Sequence, residues 1–268
     1  MLEEMHIKSF DDTSLFVRKA TVDNAKGLIV VVHGLSESCD RYRELAQVLN
    51  SYQYDVISFD NRGNGRSGGA TGDCQSFHDF LDDLHFIVNN FRNGYQKVYI
   101  LGHSLGGFIV NTYVSKYQDV DGVISSGAVG LYLNQVKAFR FIPFKPLKKL
   151  WIKNNLSNVL SHDPMVAENY IKDPYVNKYN RLNLFGECFI KGIKYLHKNY
   201  HHYEGAILYL HGGDDRIVPA KSSQLLYEKS NSKDKKLIIY PHLYHEIFNE
   251  IERQQVYDDL KEWLEAHE

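Results

Sequence analysis

Residues Val98–Thr112 read VYILGHSLGGFIVNT. The run Val98-Tyr99-Ile100-Leu101 is β-branched and aromatic, as a buried strand requires, and it breaks at Gly102-His103-Ser104-Leu105-Gly106. An apolar pattern at helical spacing resumes with Phe108, Ile109, Val110 and Tyr113. Strand, abrupt turn and helix is the setting in which G-x-S-x-G forms a nucleophile elbow, with the serine lifted into a strained turn. The glycines then have a steric reason, because two positions either side of the serine a Cβ would meet backbone. The following helix aims its first N–H groups at the serine, where a developing negative charge would be stabilised. A competing reading of the same residues is an N-cap serine between turn glycines. The rest of the chain must decide between them.

The chain has 268 residues, 43% of them hydrophobic and 13% aromatic, enough for a sizeable globular core. A net charge of −2 and a pI of about 6.7 supply no global field that would select nucleic acid. The N-terminal MLEEMHIKSFDD has neither a basic start nor an apolar run, so no signal peptide is expected. No apolar run approaches the ~20 residues of a membrane span. Cys39, Cys74 and Cys188 are odd in number, widely spaced and in no metal or redox pattern. They read as free thiols in a reducing compartment, which makes the cytoplasm the expected location.

Extended and helical patterns alternate through the first third. Residues 6–10 and 15–21 alternate around Asp11-Asp12-Thr13 and predict an opening antiparallel hairpin. Leu28–Val32 is a continuous aliphatic run, as expected for a strand buried on both faces. Helical spacing is clear at Tyr42, Leu45, Ala46 and Leu49, and again from Phe77 to Val88. From about Gly130 to Glu204 the alternation stops, and a Lys-, Asn- and Tyr-rich stretch with a helical pattern takes over. Strand–helix order returns at Ala206 and ends in a helix with Tyr257, Leu260, Trp263 and Leu264 as its apolar stripe. This predicts an α/β fold: a mostly parallel central sheet from residues 1–129 and 205–268, helices on both faces, and an inserted helical cap over 130–204.

A serine nucleophile needs a base, and the base needs an orienting carboxylate. On a fold of this order they follow the serine as acid and then histidine, each in a loop after a late strand. The strand Ala206–Leu210 leads into His211-Gly212-Gly213-Asp214-Asp215, and the strand Lys236–Tyr240 leads into Pro241-His242-Leu243-Tyr244-His245. Asp214 or Asp215 and His242 or His245 remain open on this reasoning. Backbone donors for an oxyanion would come from Leu35, after His33-Gly34, and from Leu105, after the serine. Losing one such donor typically costs ~3 kcal/mol of transition-state stabilisation. His33 itself reads as a satisfied buried imidazole. The loop RGNGRSGG lacks the lysine of a phosphate cradle, and the histidines at 197, 201 and 202 have no carboxylate or cysteine spacing for a metal. No metal and no organic cofactor is expected.

The blocks His33–Tyr42, Phe59–Gly69, Gly102–Gly107, Leu160–Pro164, Asp173–Val176 and Gly212–Pro219 resemble the α/β-hydrolases of the monoacylglycerol lipase and lysophospholipase-like group, the serine aminopeptidase S33 type. The likeness runs from residue 33 to residue 245. It implies Asp215 as the acid and His245 as the base, with Ser104 as nucleophile and the N–H groups of Leu35 and Leu105 as the oxyanion hole. It implies that Glu37, Arg41 and Asp60 brace the loops. Ser38 departs from the group, which often carries His there. The implied activity is hydrolysis of a carboxylic ester through an acyl-enzyme, with a monoacylglycerol or similar small lipid ester most favoured. A lysophospholipase, a thioesterase or a small aryl or alkyl carboxylesterase would share these residues. From another class, a binding protein that kept the fold without the chemistry would share the pattern too.

Residues 131–153, LYLNQVKAFRFIPFKPLKKLWIK, are the most apolar part of the insert and hold six basic residues and no acid. Phe139, Phe141, Phe144 and Trp151 are expected to roof an acyl-chain pocket. The basic face would meet anionic lipid in a peripheral membrane contact.

Overall fold

The computed structural model describes residues 1–133 and 147–268. An eight-stranded sheet runs through the molecule in the order β1-β2-β4-β3-β5-β6-β9-β10. Its strands are β1 (Leu2–Lys8), β2 (Ser14–Ala20), β3 (Gly27–Val32), β4 (Tyr54–Phe59), β5 (Val98–His103), β6 (Gly122–Ser126), β9 (Ala206–Gly212) and β10 (Lys235–Tyr240). The opening hairpin pairs β1 with β2 in register from Leu2↔Ala20 to Lys8↔Ser14, and β2 joins β4 antiparallel. From β4 to β10 every pairing is parallel.

Side chains alternate across each strand, and the two faces of the sheet therefore bury different sets. Val30, Val32, Ile57, Phe59, Ile100, Val123, Ile207 and Tyr209 face α2 (Phe77–Phe91) and α3 (Leu105–Val114). Ile29, Val31, Val56, Tyr99, Leu101, Ile124, Leu208 and Leu210 face α1 (Arg43–Ser51) and the closing helix Gln254–Ala266. The continuous aliphatic run of β3 is fully buried for this reason, whereas the amphipathic helices bury one stripe each. Helix α2 starts on a capping box, in which the Ser76 hydroxyl accepts from His78 N–H and the Asp79 carboxylate accepts from Ser76 N–H.

The chain direction reverses at β3. The chain moves from β3 outward to β4, then returns across to β5 on the other side. A crevice opens outside the carboxyl ends of β3 and β5, the place where ligands bind in open α/β sheets. The loop after β3 and the elbow after β5 both open into it.

Between β6 and β9, which are direct neighbours, the chain makes an excursion of about eighty residues, and its described part is not all helix. β7 (Trp151–Lys153) and β8 (Tyr179–Arg181) form an antiparallel pair flanking the helix Pro164–Lys172, itself capped by Asp163 with proline in its first turn. Strands of three residues are too short to leave an alternation in the sequence, which is why the stretch reads as helical throughout. Leu160, Tyr170 and Val176 form a small apolar cluster there. Farther on, Leu184, Phe189, Ile193, Leu196 and Tyr200 are buried in the main core against α2 and α3. The excursion's last quarter is thus packed as part of the body of the molecule.

Helix α3 approaches the sheet closely enough to exclude any side chain. A Cβ on Gly106 would fall within 3.0 Å of the carbonyls of Val32 and His33, and one on Gly102 within 3.0 Å of Gly106 backbone. Backbone on both sides cannot yield as a side-chain tip can. Gly106→Ala is expected to lower stability by about 1–3 kcal/mol, the usual range for overpacking, read as a fall in the urea unfolding midpoint. A midpoint equal to wild type would contradict the packing described.

Candidate active site

Ser104 sits between β5 and α3 with φ +56° and ψ −112°, a left-handed backbone that a non-glycine residue adopts only under constraint. The constraint is visible. Its N–H donates to Ser126 O at 2.9 Å, and its carbonyl accepts from Phe108 N–H at 3.0 Å. The residue is 8% exposed. Gly34 lies across from it, and a Cβ on Gly34 would be 3.2 Å from the Ser104 Cβ. The peptide of Leu35 is thereby brought beside the serine. Leu105 is the first residue of α3, where a helix leaves its N–H groups without internal partners. Neither Leu35 nor Leu105 N–H has an acceptor among the described residues.

His245 and Asp215 meet 2.6 Å apart, imidazole Nδ1 to carboxylate Oδ2. Their loops follow β10 and β9, and parallel pairing of those strands sets the loops side by side. The other Asp215 oxygen accepts the N–H groups of Ile217 and Val218 at 2.8 and 2.9 Å, so the carboxylate is held from behind. Asp214 and His242 are exposed and take no part in this contact, which separates the neighbours that sequence order alone left open. The His245 ring lies 4.6 Å from that of His103, the residue before Ser104, with Gly127 packed against both.

Charge in this cluster is uneven. Burial works against the His245 imidazolium, but the Asp215 carboxylate beside it prevails and holds its pKa above the ordinary 6.5. Burial would raise the Asp215 pKa, yet His245 and His211 keep it far below the usual carboxylate range. His103 shows the opposite balance: complete burial and the neighbouring His245 push it down to about 3. One histidine is therefore poised to take a proton while its neighbour stays neutral. His211 was not singled out from the sequence. Its Nε2 lies 3.2 Å from Asp215 Oδ2 and 2.8 Å from Val218 O, and its Nδ1 bonds Ser223 Oγ at 2.7 Å. The only sequence signal for it was a histidine ending a buried strand, directly before the Asp215 loop.

Glu37, Arg41 and Asp60 do brace the loops. Glu37 Oε1 accepts from Gly34 N–H at 2.5 Å and from the Tyr42 hydroxyl at 2.7 Å. Arg41 joins Glu37 to Glu246 at 2.9 and 2.5 Å, linking the loop after β3 to the residue following His245. Asp60 accepts from the N–H groups of Cys39 and Arg66, both at 2.8 Å, joining the loops after β3 and β4. His33 bonds Gly34 O and Asn61 N–H, each at 2.8 Å, and is the satisfied imidazole its sequence context suggests. Ser38 is buried, and its hydroxyl has no partner among the described residues.

Phe139, Phe141 and Phe144 lie outside the described residues. Trp151 is described. Antiparallel pairing sets it opposite Arg181, whose guanidinium stacks on its ring at 3.6 Å, and it remains 50% exposed. A cleft of about 770 Å³ opens beside the Asp215 loop, lined by Leu131, Leu133, Ile217, Pro219, Arg216 and Lys221. Among the described residues no group of three potential ligands could hold a metal ion, and no helix is long and apolar enough to cross a membrane.

Comparison with known proteins agrees with this architecture. A monoacylglycerol lipase of Mycolicibacterium smegmatis is 30% identical over 249 residues, 90% of this chain and 89% of that protein. The monoglyceride lipase of Homo sapiens is 29% identical over 271 residues, 97% of this chain and 89% of that protein. The crystal structure of Paleococcus ferrophilus monoacylglycerol lipase superposes with a TM-score of 0.85 at 29% identity, covering 95% of this chain and 99% of that one. The sequence pattern of the serine aminopeptidase S33 family matches residues 23–252. With that pattern laid over an eight-stranded α/β-hydrolase sheet, this chain belongs to the serine aminopeptidase S33 family.

Proposed function

We propose that the protein is a serine hydrolase of carboxylic esters acting through an acyl-enzyme, with a monoacylglycerol or a similar small lipid ester as substrate. The observation that carries the proposal is the 2.6 Å Asp215–His245 bond, its imidazole 4.6 Å from the ring of His103, the residue before a serine held at φ +56°. Ser104 Oγ attacks the ester carbonyl while His245 Nε2 takes its proton. Asp215 fixes the imidazole tautomer with Nδ1–H toward the carboxylate and stabilises the imidazolium that forms. The N–H groups of Leu35 and Leu105 receive the oxyanion. The tetrahedral adduct collapses as His245 protonates the departing alcohol. Water, deprotonated by the same histidine, then attacks the acyl-enzyme and releases the acid. The monoacylglycerol lipases among its relatives and the mixed apolar and polar cleft near Asp215 both support a lipid ester.

The outer face of the β7–β8 pair supports a second part of this reading, contact with an anionic lipid surface. Leu150, Trp151 and Tyr179 are about half exposed there, and Lys148, Lys149, Lys153 and Lys178 surround them. Aromatic rings with a cationic rim suit the interface of a bilayer. The fold adds Lys178 and Tyr179 to a patch of which the sequence displays only the first half.

Three outcomes are expected. A fluorophosphonate probe labels wild-type protein but not Ser104→Ala, and Asp215→Asn lowers kcat on the order of 10³–10⁴-fold while Asp214→Asn stays near wild type. Absence of Ser104-dependent labelling and of ester turnover in folded protein would overturn the hydrolase reading. Since the base must be neutral and its pKa is raised, kcat/KM should fall as pH drops through a value above 6.5. In Asp215→Asn that acid limb should shift to lower pH. Finally, vesicles of phosphatidylglycerol should sediment wild-type protein at physiological salt but release the Lys149→Glu, Lys178→Glu double variant. Equal recovery of wild type in the supernatant with and without vesicles would remove the membrane contact.

A further inference from the structure

Glu250 is a buried carboxylate that the reaction does not use. Its side chain is 1% exposed, yet both oxygens are fully engaged. Oε1 accepts the Tyr244 N–H at 2.7 Å and bonds His162 Nδ1 at 3.0 Å. Oε2 accepts the His162 N–H and the Ser161 hydroxyl, both at 3.0 Å. Tyr244 is the residue immediately before His245, whereas Ser161 and His162 belong to the excursion between β6 and β9. One side chain thus joins the loop of the base to a segment 88 residues earlier in the chain.

Two further contacts run in parallel. Glu246, immediately after His245, donates its N–H to Leu160 O at 2.8 Å. The rings of His162 and Tyr244 lie 3.7 Å apart. On the opposite side the same loop rests on the acid's loop, where Gly213 N–H reaches Tyr240 O at 2.6 Å and Asp214 N–H reaches Leu243 O at 3.1 Å. The loop carrying His245 therefore lies between the acid's loop below and residues 160–163 above.

We propose that Glu250 is a positioning residue for His245: it clamps the Tyr244–Glu246 turn to the docked Leu160–Asp163 segment, so that placement of the imidazole depends on the docking of the excursion. This rests on the reading of His245 as the base. The chemistry of the group fits the role. A buried carboxylate is costly unless hydrogen bonds satisfy it, and an apolar side chain could fill the same space without that cost. What only a carboxylate supplies is two acceptor oxygens for donors from two chain segments at once. Glutamine keeps the volume but replaces one acceptor with a donor, which would face the donors already there. Tyr244 or the Ser161–His162 pair must then let go.

The test uses the whole chain with Glu250→Gln, the Ser161→Ala, His162→Ala double variant, and all three changes combined. His162 is 41% exposed, so the double variant removes the two side-chain donors that the excursion gives Glu250, leaving only the His162 N–H on Oε2, without disturbing the core. Glu250→Gln should lower kcat about 10–100-fold, the scale of a misplaced catalytic group, with KM changed far less. The His245 imidazole pKa, followed by NMR, should fall toward 6.5 as its bond to Asp215 loosens. The double variant should move both quantities in the same direction, and the combined variant should lose little beyond Glu250→Gln, because all three act through one carboxylate. The clamp is overturned if folded Glu250→Gln keeps the wild-type kcat and His245 pKa. Should that variant not fold, an unchanged kcat and His245 pKa in the double variant overturns it equally. The imidazole titration needs no turnover, so a failure of the hydrolase reading, seen as unlabelled wild-type Ser104, is told apart from a failure of the clamp.

Discussion

The carbonyls of Val32 and His33 lie so close to Gly106 that no side chain fits between α3 and the sheet. That approach sets the depth at which α3 enters, and with it the turn from β5 into the helix. Ser104 has no relaxed conformation available in so short a turn and is held at φ +56° by Ser126 O on one side and Phe108 N–H on the other. Its strain is offset by the burial of β3, β5 and the whole of α3, all of which are inaccessible to solvent. The serine, the first N–H groups of α3 and the loop after β3 consequently share one crevice, where the sheet reverses its winding direction.

Around this fixed point the other groups are placed by loops that brace one another through charge. Glu37, Arg41 and Glu246 form a buried chain from the residue preceding Leu35 to the residue following His245. Asp60 ties the loops after β3 and β4, and Arg66 stacks on Phe16 while pairing with Asp40. Removing one member of such a set strands the opposite charge without water, which typically costs about 3–5 kcal/mol. The lattice trades stability for placement, and Glu250 extends it into the excursion.

The strands and helices of the core were readable because their burial is periodic. Leu28–Val32 could only be a strand covered on both faces, and the stripes of α2 and the closing helix could only be half-buried helices. The candidate nucleophile was readable because its turn demands glycines at fixed offsets. From strand order alone the candidate acid and base were readable only to within a neighbour, and it was the family resemblance that named Asp215 and His245. Asp214 and Asp215, like His242 and His245, differ in which side chain a loop turns inward, and nothing local to the sequence states that. His211 and Glu250 were not readable, since each bonds partners brought to it by the packing of separate segments. The β7–β8 pair escaped for want of length, and with it the stacking of Arg181 on Trp151 across the pair.

Local sequence therefore determined what depends on repetition and on steric necessity: the order of strands and helices in the core, two core faces, and a serine on a glycine-flanked turn. Tertiary structure decided which of two adjacent carboxylates meets which of two nearby histidines, and which buried charges hold them. The reason is physical. Periodic burial and a forbidden Cβ act within a few residues, whereas a hydrogen bond such as that between Asp215 and His245 joins loops that become neighbours only when β9 and β10 pair in parallel.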